Sequence, residues 1–450
     1  MQSMSKKLHS RRDVLRMMGA GSALVALAAC TPPPAPSAGQ AAGGAAKSGQ
    51  AFLNYWTGWS GFEFDELQKL VDKFNTEHKD KIFVNMTTVF GQYDKVLTAI
   101  AGGNPPDVVS AVWLHQLVSM AAREGLKPVT DYASRDGVDG TGYFPQFWEA
   151  WHWNNQLWGL MVTSNSNVIA YRTDLYKEVG LDADNPPKNI TELDAAAQKL
   201  EKVGKDGTIE RVGLLPGGLN WWGRVFGGAF YDDKNQKITA NDPKLVAALD
   251  WMGSYRKRLG ADKVAAFTSG YGDYMSTQNS FFVGKESMTQ VGEWFIEFQH
   301  RFAPDLDMRF MPAPPPDGGR ENCTTFDGSV FTIPNGVKNP DSSWEFIKWL
   351  SQDDHMGDFC FNIHNVPPKV KPATADRFVS DKRFKLAVDL LNGKNAFGPD
   401  KMPVNDTLYT KIGEAESAVF QGQSKAQEVL DRVTQEVQQE LDKALERMKK

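Results

Sequence analysis

A chain of 450 residues is longer than one hydrophobic core usually serves, so two or more domains are expected. Hydrophobic residues at 41% and charged residues at 23% are ordinary globular values. The formal net charge is −5, and removing the +4 carried by the first 29 residues leaves −9. An acidic body with no basic run argues against nucleic acid or an anionic membrane surface as a partner.

The chain starts with an address. Ser10-Arg11-Arg12-Asp13-Val14-Leu15-Arg16 precedes the apolar run Met17 to Ala29, which ends at Cys30. That run is too short for a lasting transmembrane helix and fits a signal peptide. The paired arginines resemble a twin-arginine export signal, with Val14 where the pattern prefers Phe. Leu27-Ala28-Ala29-Cys30 resembles the bacterial lipobox, which makes Cys30 the candidate lipidation site. Residues 31–50 are mostly Pro, Ala, Gly and Ser and read as a disordered tether. Lipid, tether and acidic body together predict a protein anchored at the outer face of a membrane rather than spanning it.

The body reads as strand and helix in alternation. Ala51 to Trp56 is a strand opening into Thr57-Gly58-Trp59-Ser60-Gly61, and a helix follows from about Glu63. Ile82 to Phe90 is a second strand and Gln92 to Ala101 a second helix. Pro106-Asp107-Val108-Val109 enters a third strand, followed by a helix over 114–124. The alternation predicts a parallel sheet covered on both faces, whose strand ends carry Trp59 and Trp113.

Leu157 to Tyr176 breaks the pattern. Two apolar pieces flank the polar step Thr163-Ser164-Asn165-Ser166-Asn167, with no Gly or Pro to reverse the chain. This predicts a hinge crossing, a strand that leaves one body and enters another. Beyond it, a helix over 191–203 has a box-like start at Thr191 and Asp194, and Val212 to Leu215 is strand-like. Asp242-Pro243 caps a helix running to Leu259. A short strand leads to Gly292-Glu293-Trp294, and 310–316 and 365–368 are further candidate crossings. A long amphipathic helix from Ser424 ends the chain, best read as packing on its own lobe.

The export signal, LAAC, NYWTGWSG, AIAGGNPPDVV, the crossing ending NVIAYRTDLY, and FVGKESMTQVGEW occur in this order. Together they resemble the family 1 extracellular solute-binding proteins of ABC importers, the class that includes maltose-binding protein. The resemblance implies an α/β, two-lobed periplasmic-binding-protein-like fold with a ligand cleft between lobes joined by hinge strands. It places the N-terminal lobe at 51–164 and 312–365 and the C-terminal lobe at 165–311 and 366–450. It also implies a sugar ligand, delivery to the transmembrane subunits of a permease, and a lipid-anchored monomer in the cell envelope without cofactor or metal.

A sugar presents apolar C–H faces and a rim of hydroxyls, which suit aromatic planes and amide or carboxylate groups. By position along the family pattern, the candidate contacts are Trp59 and Ser60, Trp113 and His115, and Asn165 at the crossing. The second lobe adds Trp221, Trp222, Glu293 and Trp294, followed by Asp327, Gly328 and Tyr409. Trp56, Trp158, Trp344 and Trp349 read as core residues, while Trp148, Trp151 and Trp153 stay unassigned.

No hydrolase, zinc-protease, phosphate-loop or dinucleotide motif is present, and the seven histidines show no ligand spacing. A two-carboxylate glycosidase is the alternative from another class, since carboxylate separation cannot be read along a chain. Within the binding class the alternative is a peptide or a polyol phosphate. Cys323 and Cys360 lie in an exported body, and whether they pair is left open at this stage.

Overall fold

The computed structural model describes residues 49–449. The signal peptide, Cys30 and nearly all of the tether therefore lie outside the described residues. Strand β1 (Ala51–Thr57) buries Leu53, Tyr55 and Thr57 while Phe52 and Asn54 face out, the period of two that a half-buried strand requires. Helix α1 (Gly61–Glu77) buries Leu67, Val71 and Phe74 at helical spacing. Strand β2 (Ile82–Thr88) pairs with β1 in parallel from Ala51↔Ile82 to Thr57↔Thr88, and β3 (Val108–Ser110) pairs with its other side at Tyr55↔Val108. All three strands end on the same edge. The loops there carry Trp59, Phe90 and Trp113, the last immediately before helix α2 (Leu114–Ala122).

The crossing forms as its pattern requires. Leu160–Met161 pairs with Val330–Phe331, whereas β4 (Val168–Arg172) sits between β5 (Met288–Val291) and β6 (Met308–Met311). One continuous chain thus belongs to two separate sheets. The alternation of β4 also divides between two hydrophobic clusters. Val168 and Ala170 join the cluster around β1–β3, and Ile169 and Tyr171 join a second one. That second cluster is built from the helices Ile190–Leu200, Leu219–Val225, Pro243–Leu259, Asn405–Phe420 and Ala426–Met448. The first also takes in helix α3 (Phe295–Phe302), helix α4 (Asp353–Ile363) and the residues Phe378 to Leu391. Among the described residues, no helix is long and apolar enough to cross a membrane.

Two details differ from the sequence expectation, and the cysteine pairing that the sequence left open is answered. The helix at Ile190–Leu200 is capped by Asn189, whose side chain accepts from the Glu192 N–H at 3.0 Å, while Asp194 receives Trp251 and Tyr255. An Asn in extended backbone is the stronger cap, so the Thr191 box never forms. Val212 makes only a single bridge, to Glu286, because the short strand there ends at Arg211. Cys323 and Cys360 are both free and buried, one in each cluster, so no disulfide links them.

Ser164 to Asn167 of the polar step are held by their neighbours. Ser164 and Val366 exchange backbone hydrogen bonds at 2.8 and 3.1 Å. Asn165 donates its N–H to the Asp327 carbonyl and accepts the Asp327 N–H on Oδ1 at 3.2 Å. Asn167 binds Thr324 and Thr325. Glu293 ties the set together: its fully buried carboxylate accepts the Ser166 N–H at 2.9 Å, the Ser166 hydroxyl at 3.1 Å and the Val366 N–H at 3.2 Å. Burial pushes its pKa up to about 7, against the pull of those donors.

Replacing Glu293 by Ala leaves the buried Ser166 N–H unsatisfied, at about 1–3 kcal/mol, whereas the Val366 N–H keeps the Ser164 carbonyl. A loss of about 1–3 kcal/mol is expected in urea unfolding, and an unchanged midpoint would contradict this account.

Candidate functional site

The strand-end loops assemble an aromatic pocket of about 170 Å³. Trp59 and Trp113 meet edge to face, with ring centroids 5.5 Å apart, and Phe359 supports Trp59 from behind at 5.9 Å. Gly58 permits this: a Cβ there would stand 3.2 Å from the Ala111 backbone. Phe90 comes from the end of β2. Trp294 arrives from the other side, after β5, and its indole N–H donates to the Tyr274 hydroxyl at 2.8 Å. The preceding Gly292 is obligatory for that pose, since a Cβ would lie 1.8 Å from the indole ring.

Polar groups line the same space. The Trp59 indole N–H and the Asn365 side-chain oxygen are both buried and without a hydrogen-bond partner. One is a donor and the other an acceptor, which is what a ligand hydroxyl would satisfy. Asn165 completes the polar lining with Glu63. No Lys or Arg is among the residues that line the pocket.

One edge of the pocket is shut by side chains. Tyr274 and Met275 lie over the start of α1, and Phe298 of α3 meets Phe62 edge to face at 5.6 Å. Arg301 rests on the Phe62 ring at 4.2 Å. Pockets for larger ligands usually measure about 300–1,000 Å³, so an oligosaccharide requires this edge to part.

The sequence candidates fall into three groups. Trp59, Trp113, Asn165 and Trp294 meet in the pocket. His115, Asp327 and Tyr409 form an adjoining polar group: His115 Nδ1 lies 2.5 Å from the Asp327 carboxylate and its ring stacks on Tyr409 at 4.6 Å. Tyr409 receives the Asn220 amide at 2.8 Å. The two hydrogen bonds between Asn165 and Asp327, one of them to the Asn165 side-chain oxygen, connect this group to the pocket.

The remaining candidates lie elsewhere. Trp221 and Trp222 pack in the second core cluster, with their indole N–H groups held by the Cys323 carbonyl and Gln290. Their rings are occupied by packing; the polar neighbour Asn220 faces Tyr409 instead. Glu293 is the hinge tie described above. Gly328 is pressed against the Thr163 carbonyl, where a Cβ would lie at 2.3 Å. Ser60 precedes α1 at its N-cap and makes no capping hydrogen bond.

Sequence reasoning missed Glu63, Phe90, Tyr274, Met275, Phe298 and Asn365. Asn365 lay in a recognised crossing segment, but nothing marks Tyr274 and Met275 along the chain. Trp151, unassigned by sequence, is wholly buried in the first cluster.

The chain belongs to the bacterial extracellular solute-binding protein family, whose pattern it matches over residues 63–356. The fold is accordingly α/β and two-lobed. It superposes on the mannobiose complex of CpMnBP1 with a TM-score of 0.80 and 28% identity, covering 86% of this chain and 99% of that one. A probable ABC transporter-binding protein of Deinococcus radiodurans is 27% identical over 212 residues, which is 44% of this chain and 49% of that protein. The sn-glycerol-3-phosphate-binding periplasmic protein UgpB of Escherichia coli is 29% identical over 179 residues, 38% of this chain and 39% of that one. The chain thus spans half or less of the length of those two curated relatives.

Glu63 gives the site a pH signature. It lies in the first turn of α1, where the helix dipole favours a carboxylate, yet burial outweighs this and pushes its pKa up to about 8. The folded chain therefore holds a proton on Glu63 that the unfolded chain has released above its ordinary range near 4.5. Stability falls as pH rises between those values and the loss is complete above about 8. Thermal melts from pH 5 to 9 should show this slope, and Glu63→Gln should reduce it. A profile that Glu63→Gln leaves unaltered would refute the assignment.

Proposed function

We propose that this chain is the substrate-binding lipoprotein of an ABC importer, enclosing a neutral sugar or short oligosaccharide and passing it to the permease's transmembrane subunits. The observation that carries the reading is the meeting of three indoles, Trp59, Trp113 and Trp294, beside an unpartnered donor and acceptor. Indole planes suit the C–H faces of a pyranose, and the unpartnered groups suit its hydroxyls. CpMnBP1, which shares the fold, was solved with mannobiose and with mannotriose bound. Export through the paired arginines and anchoring through a lipid on Cys30 complete the proposal and place the protein at the outer face of the cytoplasmic membrane. It acts as a binder without turnover, so an oligosaccharide incubated with it is recovered intact.

The second reading is a polyol phosphate, suggested by the likeness to UgpB. A phosphate calls for Arg or Lys beside it, and the pocket lining has neither, which favours the neutral ligand. Calorimetric titration with mannobiose, mannotriose and sn-glycerol 3-phosphate distinguishes the two. Binding of the phosphate alone would reverse the choice.

Trp294 is the decisive side chain. Trp294→Ala removes a central aromatic plane worth about 2–4 kcal/mol, or about 30- to 1,000-fold in affinity. The ring is only half-buried without ligand, so the apo melting temperature should change little. A large fall in melting temperature with near-normal affinity would make it a core residue instead.

Lobe closure about residues 163–167 follows from a site supplied from both sides. The radius of gyration in small-angle scattering should fall on saturation with ligand, because ligand favours the closed state by its differential affinity. An identical value with and without ligand would count against closure.

A further inference from the structure

The histidines show no metal spacing along the chain, but folding brings two of them beside one carboxylate. Glu297 and His300 are three residues apart on α3, on the same face of the helix. His364 arrives from the C-cap of α4. The ligand atoms of the three lie within 4.8 Å of one another. One oxygen of Glu297 is taken by Arg301 at 2.6 Å. The other lies 3.0 Å from His364 Nδ1 and 3.7 Å from His300 Nδ1.

Two features make this more than an ion pair. His364 Nδ1 is shut away from solvent and, despite that short distance, is not aligned for a hydrogen bond. His364 also holds left-handed backbone, φ 53°, a conformation that bulky residues seldom adopt and that helix C-caps usually give to Gly or Asn.

We propose that Glu297, His300 and His364 form a binding site for a divalent transition-metal ion, with Zn²⁺ as the fitting probe. Two imidazoles and one carboxylate are a donor set suited to Zn²⁺ and its neighbours, and three protein ligands leave a coordination position for water. Ligand bonds of about 2.0–2.2 Å need only a modest contraction of the group. The exposed His300 ring gives solvent access to the site.

The location ties the metal to the binding pocket without belonging to it. Glu297 lies just beyond Trp294 on α3, and His364 directly precedes Asn365; both neighbours line the pocket. A bound ion would clamp α3 to the third crossing.

The test is calorimetric titration of Zn²⁺ into chelator-treated, tag-free protein, with melting temperature as a second readout. One Zn²⁺ per chain and a raised melting temperature are expected. His300→Ala, at an exposed ring, and His364→Asn, which tolerates the left-handed cap, should each weaken binding at least ~10-fold. His78→Gln, outside the group, should leave it unchanged. Absence of saturable binding, or an affinity that neither site variant alters, overturns the proposal and leaves the three residues as an ion-pair cluster.

Discussion

The buried carboxylate of Glu293 is the constraint on which the rest of the molecule depends. It accepts from Ser166 on one crossing and from Val366 on another, and it immediately precedes Trp294. A charge-bearing group this deep is tolerated only because donors surround it, and one of them, the Ser166 N–H, would otherwise be orphaned. The carboxylate and the crossings therefore stabilise each other. By pinning the strands at one point, the arrangement also sets where the indole of Trp294 enters the pocket.

The aromatic content of the site follows from parallel-sheet geometry. β1, β2 and β3 run the same way, so their exits gather Trp59, Phe90 and Trp113 at one edge. Side chains there cannot all be covered by the sheet's own helices, and the surplus aromatic surface is closed instead by elements from beyond the crossing. Met275, Tyr274 and Phe298 supply that cover. The cover is built from ring contacts and one cation–π contact, each individually small, of a kind that can be exchanged for a ligand at little net cost.

Pocket and proposed metal group share a scaffold because both use α3 and the segment leading out of α4. Residues at and beside the crossing strands carry structural ties, pocket-lining side chains and a side-chain cluster within a short stretch. Glu293, Trp294 and Glu297 illustrate this within five positions.

The sequence by itself determined the alternation of strands and helices, the non-reversing crossing and the aromatic strand-end loops, because period and turn chemistry are local properties of a chain. It also marked Trp59, Trp113, Asn165 and Trp294, each of which sits at the end of a strand or in a crossing. Tertiary structure decided what local pattern could not. Trp221 and Trp222 lie in a Gly-rich loop that looks like a ligand site, yet the segment turns helical and points both rings into a core. Glu293 looks like a polar contact for a sugar, but the N–H groups it serves come from residues over seventy or a hundred positions away. Tyr274, Met275 and Asn365 became pocket residues only through the approach of separate elements, and His364 met Glu297 and His300 the same way. Such pairings are set by the packing of whole elements, which composition and periodicity along one chain do not encode.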